Sequence, residues 1–264
     1  MTATSHALRD SKTMLRRNIR RMQRYPALTV QVVVMPVVFL LLFVFVFGGT
    51  MGAGIGGTTG GRTEYLQYVV PGILLMTLVG TATGTAISVS MDMNEGIVAR
   101  FRTMAISRAA VLSGHVVASV IQAVFCTAIV TGVALLIGFR PGAGPFEWLA
   151  AIGLIALISF AISWLAVALG IVAKSVESAS NSPLLLMLLP FLGSGFVPTD
   201  TLPAGVRWFA EYQPFTPFIE AVRSLLAGTP DGSSILVSIA WCGAIALAGF
   251  LWARSAYERK SVPA

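Results

Sequence analysis

Long apolar stretches alternate with short charged connections along this 264-residue chain. Six intervals carry no Asp, Glu, Lys or Arg: 25–61, 65–91, 109–139, 148–173, 178–199 and 232–253. Each is long enough for the roughly 20 helical residues that cross a hydrocarbon core of about 30 Å. Charge marks the ends of such spans because placing it at the bilayer centre costs about 2.5–3.5 kcal/mol on the insertion-derived scale. Helices are expected because backbone polar groups find no water partners in hydrocarbon. The pattern therefore predicts an all-α membrane protein with six transmembrane helices, forming one domain over residues 1–264 with no internal repeat.

Composition agrees and removes the soluble classes. Hydrophobic residues make up 56% and charged residues 11%, with a mean hydropathy of +0.82, against about 25% charged in an ordinary soluble domain. The net charge of +7 would raise the question of nucleic acid in a soluble chain, but here its distribution points to topology. Seven basic residues precede the first interval (Arg9, Lys12, Arg16, Arg17, Arg20, Arg21, Arg24), and Arg100, Arg102, Arg108, Lys174, Arg254, Arg259 and Lys260 fall on alternate connections, 14 in all. The other connections carry Arg62, Arg140, Arg207 and Arg223. Under the positive-inside rule both termini face the cytoplasm of a plasma-membrane protein. The first apolar run has no small-residue cleavage pattern and reads as a retained span. Cys126 and Cys242 lie far apart inside apolar runs, as packing residues.

Four segments are more than plain span or tether. Residues 8–25 set Leu8, Leu15, Ile19 and Met22 on one stripe among basic residues, predicting an interfacial helix held by anionic lipids and broken by Pro26. The glycine-rich stretch 48–61 reads as an external linker; its match to a dinucleotide fingerprint at Gly52, Gly54 and Gly57 lacks the strand and helix that would give it meaning. The fifth interval is punctuated by Pro183, Pro190 and Pro198, so a full span must start near Ser178, kink at Pro190 and find a partner for a freed carbonyl near Leu186. Residues 200–228 are too apolar for a loop and too charged to cross, predicting an external re-entrant helical hairpin. Pro203 starts a helix through Trp208 to Tyr212, Pro214 stops it, and Thr216 with Pro217 starts a second helix ending at Gly228. Glu220 and Arg223 stand one turn apart and can pair, while Phe218, Val222 and Leu225 share a face suited to the outer leaflet or a neighbouring chain.

The connection 92–108 spaces Ile97, Phe101, Met104 and Ile106 among its charges. Two readings stand: a short cytoplasmic helix presenting Arg100 and Phe101 to a protein partner, or apolar residues resting on the bilayer. Catalytic signatures are lacking. There is no P-loop pattern and no G-x-S-x-G elbow, and His6 and His115 have no metal-ligand spacing, so His115 reads as an interfacial polar residue. Spans free of fixed charge disfavour a self-contained secondary transporter. A lipid-modifying membrane enzyme would have to draw on Asp200, Glu211 and Glu220.

Two stretches resemble a known family. Glu95-Gly-Ile-Val-Ala-Arg-Phe-Arg-Thr-Met-Ala-Ile-Ser-Arg108 is similar to the cytoplasmic loop of type-2 ABC exporter permeases of the daunorubicin/doxorubicin-resistance type. Gly195-Phe-Val-Pro198, Leu202-Pro203, Pro214-Phe-Thr-Pro217, Glu220-Ala-Val-Arg223 and Gly228 are similar to that family's signature between the fifth and sixth spans. The resemblance implies a cytoplasmic coupling helix bearing Glu95, Gly96, Arg100, Phe101, Arg102, Ser107 and Arg108. It implies an external signature of Pro198, Pro203, Pro214, Pro217, Glu220, Arg223 and Gly228, with 8–25 as the connecting helix. It further implies a second permease copy, identical or a sister chain, and a separate P-loop ATPase subunit holding ATP and Mg, with no cofactor on this chain and no catalysis by it. The family often has Pro where this chain has Ala105, which bears on where the coupling helix ends. An oily path without fixed charge suits a drug-like or lipid-like cargo, exported on the family's pattern.

Overall fold

The computed structural model describes residues 26–56, 61–94 and 108–259, which form helices joined by short turns with no strand among them. Helix α1 (Pro26–Leu42) passes through a π-helical turn, Phe43–Phe47, into α2 (Gly48–Gly56). Helix α3 is Arg62–Asn94, α4 Arg108–Leu136 and α5 Pro145–Val172. Among the described residues five stretches are long and apolar enough to cross a membrane: Val30–Gly52, Arg62–Asn94, Leu112–Leu136, Pro145–Val172 and Gly232–Arg259, the last being α10.

The fifth charge-free interval departs from a single kinked span. It holds two short helices, α6 (Val176–Asn181) and α7 (Leu184–Leu192), with the break at Ser182 and Pro183. The start lies at Val176 instead of Ser178 because Ser175 is the cap: its hydroxyl accepts from the Ser178 amide at 3.2 Å. Between α7 and α10 come α8 (Ala204–Tyr212) and α9 (Phe215–Ala227). Asp231 starts α10 by accepting from the amides and hydroxyls of Ser233 and Ser234, and the Ser234 and Ser233 hydroxyls, with their amides, pull its carboxyl down to about 2.

The core is built around α3. Its Val69, Val70, Ile73, Leu74, Leu75, Leu78 and Val79 are buried against α1, α4, α5, α7 and α9, and α5 packs in turn along α10. At 33 residues it is about 50 Å long, well beyond a bilayer core, and it takes in Arg62, Glu64 and Asp92 at its ends. The boundary charges therefore lie on the helix, with Asp92 buried in its last turn. In contrast, α1 and α10 turn Val30, Val34, Val38, Leu236, Leu247 and Leu251 outward, the pattern of helices at the rim of a bundle.

The glycine-rich stretch is not a plain linker. It is helical through Gly56, and Gly52 lies so close to the Gly61 backbone that a Cβ would collide with it, so this glycine serves packing. Cys126 and Cys242 are free and buried. The proposed interfacial helix at 8–25, and Glu95, Gly96, Arg100, Phe101, Arg102 and Ser107 of the coupling segment, lie outside the described residues. Arg108 opens α4.

Candidate functional site

The external signature collects at the Arg62 end of α3. Helix α8 begins after Pro203 and ends at Tyr212, as the proline spacing predicts, and Gly228 closes α9 with a left-handed φ of 78°. The start of α9 differs: Pro214 is its N-cap and Thr216 lies inside the first turn. The Thr216 hydroxyl donates to the Ala210 carbonyl, so it stitches α9 to α8 and is not available to cap. The face of Phe218, Val222 and Leu225 meets neither lipid nor another chain; all three are buried in the protomer's own core against α3, α5 and α7.

The chain between α7 and α8 is irregular from Gly193 to Pro198, and irregular backbone buried in a bundle must have its carbonyls satisfied by neighbours. Two side chains, Arg223 and Tyr65, do this, and a third, Gln213, serves the last turns of α7. Arg223 of α9 donates from Nη2 to the Ser194 carbonyl and also to the Tyr68 carbonyl of α3, at 3.2 Å, with Nε at 3.4 Å from the same oxygen. Its guanidinium carbon lies 3.9 Å from the centre of the Tyr68 ring, within cation–π range. Tyr65 donates its hydroxyl to the Phe196 carbonyl at 3.4 Å, and Gln213 donates Nε2 to the Leu189 carbonyl at 2.8 Å. The carbonyl partnered near Pro190 is thus that of Leu189, not Leu186. On α3, Pro71 removes the amide that would donate to the Gln67 carbonyl, the neighbour of the Tyr68 carbonyl that Arg223 takes.

Gly72 completes the junction. A Cβ there would lie 2.7 Å from the Gly195 carbonyl oxygen, so α3 and the irregular segment touch backbone to backbone. Beside it Phe191 and Phe196 stack at 4.4 Å, and Phe43, which opens the π-helical turn of α1, tilts against Phe196 at 4.6 Å. Pro198 precedes a single 3-10 turn, Thr199–Thr201, and Pro217 is buried in α9. The six signature positions from Pro198 to Arg223 thus lie on this segment or the two helices after it.

Arg223 spends its donors on carbonyls, and the direct ion pair with Glu220 that one-turn spacing allows is not what holds it. Burial pulls the Arg223 guanidinium below its usual value, with Tyr68 and Glu220 opposing, and the group remains a cation because arginine does not lose its proton in proteins. Burial pushes the half-buried Glu220 carboxyl up, and the positive charge of Arg223 only partly offsets this. The acids proposed for a lipid-modifying centre are otherwise engaged: Glu211 accepts from Arg207 at 2.6 Å on the surface, and Asp200 is exposed. Among the described residues no three His, Cys, Asp or Glu are placed to hold a metal.

The hydroxyls along the middle of α3 are likewise spent locally. Thr77 donates to Ile73, Thr81 to Leu78 and Thr85 to Thr81, each through a backbone carbonyl at 3.1 Å or less, and all three residues are buried. At the opposite end of α3, His115 is buried and bonded to Asp92.

Residues 9–227 match the ABC-2 type transporter family. The chain belongs to that family. Its match to the daunorubicin resistance ABC transporter permease protein DrrB1 of Streptomyces coeruleorubidus is 30% identical over 167 residues, covering 63% of this chain and 59% of that one. The probable doxorubicin resistance ABC transporter permease protein DrrC of Mycobacterium tuberculosis is 24% identical over 196 residues, covering 74% of this chain and 71% of DrrC. The ABC-2 match takes in both segments that carry the resemblance, apart from Gly228, which follows its last residue. Tyr68, Gly72, Ser194 and Gln213 escaped the sequence reading, although a Pro-Gly pair inside a spanning helix was a signal that its backbone meets something there.

Proposed function

We propose that this ABC-2 chain is the permease subunit of an ATP-driven exporter, working as a pair of permeases, identical or sister chains, around a path for a hydrophobic drug-like or lipid-like substrate. The observation that carries the proposal is the family match over residues 9–227, with relatives named as drug-resistance permeases. Six spans, with α6 and α7 as a broken fifth and α8 with α9 as the external re-entrant hairpin, fit this reading and put both termini in the cytoplasm. The Asn94 end of the bundle is then the cytoplasmic end, consistent with 14 of 18 basic residues falling on that side.

In this proposal ATP and Mg are bound by a separate P-loop ATPase. Its closure presses on the coupling segment containing Glu95, Gly96, Arg100, Phe101, Arg102, Ser107 and Arg108, and the bundle switches the path from inward-facing to outward-facing. The three buried threonines along the middle of α3 already serve their own helix, which supports a path between protomers over one through the middle of this bundle. Apolar helix faces at the rim are what remains to meet cargo, so a lipophilic molecule is favoured over an ion.

The test is reconstitution in vesicles with the candidate ATPase, following ATP-dependent movement of a lipophilic dye. Transport is expected only with both proteins, and replacing Phe101 and Arg102 with Ala is expected to reduce both ATPase capture and dye movement about tenfold, the scale of a lost interface anchor. ATP-driven pumping by the permease alone overturns the proposal.

A further inference from the structure

At the Asn94 end of α3, Asp92 and His115 face each other with Nε2 to Oδ2 at 3.1 Å, and both are about 95% buried. When the carboxylate is ionised it only accepts, and the histidine is then the donor, from Nε2. Residues this polar rarely enter an apolar bundle without a partner, and the cluster around them is apolar: Val89 and Met93 from α3, Leu112 and Val116 from α4, and Tyr257 from α10. Ser90, half a turn before Asp92, donates to the Ser175 carbonyl at 3.3 Å, and Asn94 donates to the Ser90 hydroxyl at 3.5 Å. The last turn of α3 is therefore fastened to α4 by one charge-assisted bond and to the start of α6 by another contact.

The position of the first bond in the chain gives it a role. Asp92 precedes, and His115 follows, the segment 95–108. A push on that segment reaches the bundle through α3 and α4, and the two helix ends respond together only if something ties them. We infer that Asp92 and His115 are positioning residues for energy coupling: their bond holds the inner ends of α3 and α4 as one unit, so that displacement from the cytoplasmic side moves both. A buried bond beside an apolar cluster suits this task, because low local dielectric strengthens it. The inference rests on the proposed function, since it presupposes a motor acting on that side.

The experiment reconstitutes the permease with its ATPase and reads dye transported per ATP hydrolysed, on preparations matched for assembled complex. Wild type must first show ATP-dependent transport; its absence overturns the proposed function itself and this inference with it. Given wild-type transport, Asp92→Ala and His115→Ala are expected to keep ATP hydrolysis within about twofold while transport per ATP falls about tenfold, the fold-change of one lost charge-assisted hydrogen bond. Asp92→Asn, which keeps the size of the side chain, is expected to lower the ratio in the same direction and decides the matter if the alanine variants do not assemble. The exchanged pair, Asp92→His with His115→Asp, is expected to recover the ratio to within about threefold of wild type by restoring the bond. A purely structural contact would lower the amount of assembled complex and leave the ratio unchanged, and an unchanged ratio in Asp92→Asn overturns the inference.

Discussion

At its Arg62 end α3 meets its neighbours with backbone carbonyl and glycine as well as the Tyr65 and Tyr68 side chains; at its Asn94 end it meets them with side chains. Tyr68 presents a carbonyl to Arg223 and Gly72 presents bare backbone to Gly195, whereas Asp92 and Ser90 reach out with carboxylate and hydroxyl, Asn94 backing Ser90 within the helix. The first kind of junction has several contacts that depend on one another and on the path of the main chain, so it can only be kept or lost as a whole. The second rests on separable bonds, each of which a change of partner can break without unfolding the helix. One long helix thus joins a rigid junction at its Arg62 end, the outer one in the proposed topology, to an inner one at its Asn94 end made of individual ties. That is the arrangement expected of a lever with a fixed end.

The hardest test of the contrast is Arg223→Ala. It leaves the Tyr68 and Ser194 carbonyls without their donor inside the bundle, at about 1–3 kcal/mol for each buried unsatisfied group. A large drop in thermal midpoint in detergent is expected, and Arg223→Lys is expected to recover less than half of it. A lysine ammonium is a point donor and does not reproduce a planar fork serving two carbonyls beneath an aromatic ring. Full recovery by lysine would show that charge alone holds the outer end. Gly72→Ala comes next. Its new methyl meets the Gly195 carbonyl and Cα, neither of which can swing aside as a side chain would, and overpacking of this kind costs about 1–3 kcal/mol. A melting curve equal to wild type would mean the backbone contact is loose and the outer junction less rigid than argued.

Much of this architecture was legible in charge spacing and proline placement, and the failures have physical causes. Charge-free intervals located the helices, but charges do not end a helix that continues past the membrane, so Asp92 read as the start of a loop while it occupies the last turn of α3. The fifth interval looked long enough to be one span; Ser175 as a cap and Pro183 as a break turned it into two short helices. Glycines read as flexibility where Gly52 is in fact packed on backbone. Prolines at Pro203 and Pro214 were reliable because their effect is local, fixing φ and removing a donor. The outer junction was only half visible. Arg223 stood out as a charge in an apolar segment, but its acceptors are main-chain carbonyls 155 and 29 residues away, and residue type does not encode them. The Asp92 and His115 bond was hidden similarly, since periodicity says nothing of which helix lies beside which.

Glu220→Gln gives the smallest effect and separates the two junctions most sharply. If the outer end were an ion pair, removing the acid would weaken it. In the structure Arg223 bonds to carbonyls, and burial has raised the Glu220 carboxyl, so the folded state holds this proton more tightly than the unfolded chain does. Between the ordinary carboxylate value and the raised one, the folded state therefore binds more protons, and this group's contribution to stability rises as pH falls. Above that window the charged, half-buried carboxylate is a cost. Glutamine removes the charge at every pH, so the variant is expected to melt slightly higher than wild type at neutral pH, with the gap closing as the buffer is taken below the ordinary carboxylate range. A lower midpoint for the variant at neutral pH would mean that Arg223 depends on Glu220 after all. Both ends of α3 would then be held by ionic pairs, and the distinction between a rigid outer junction and a separable inner one would have to be given up.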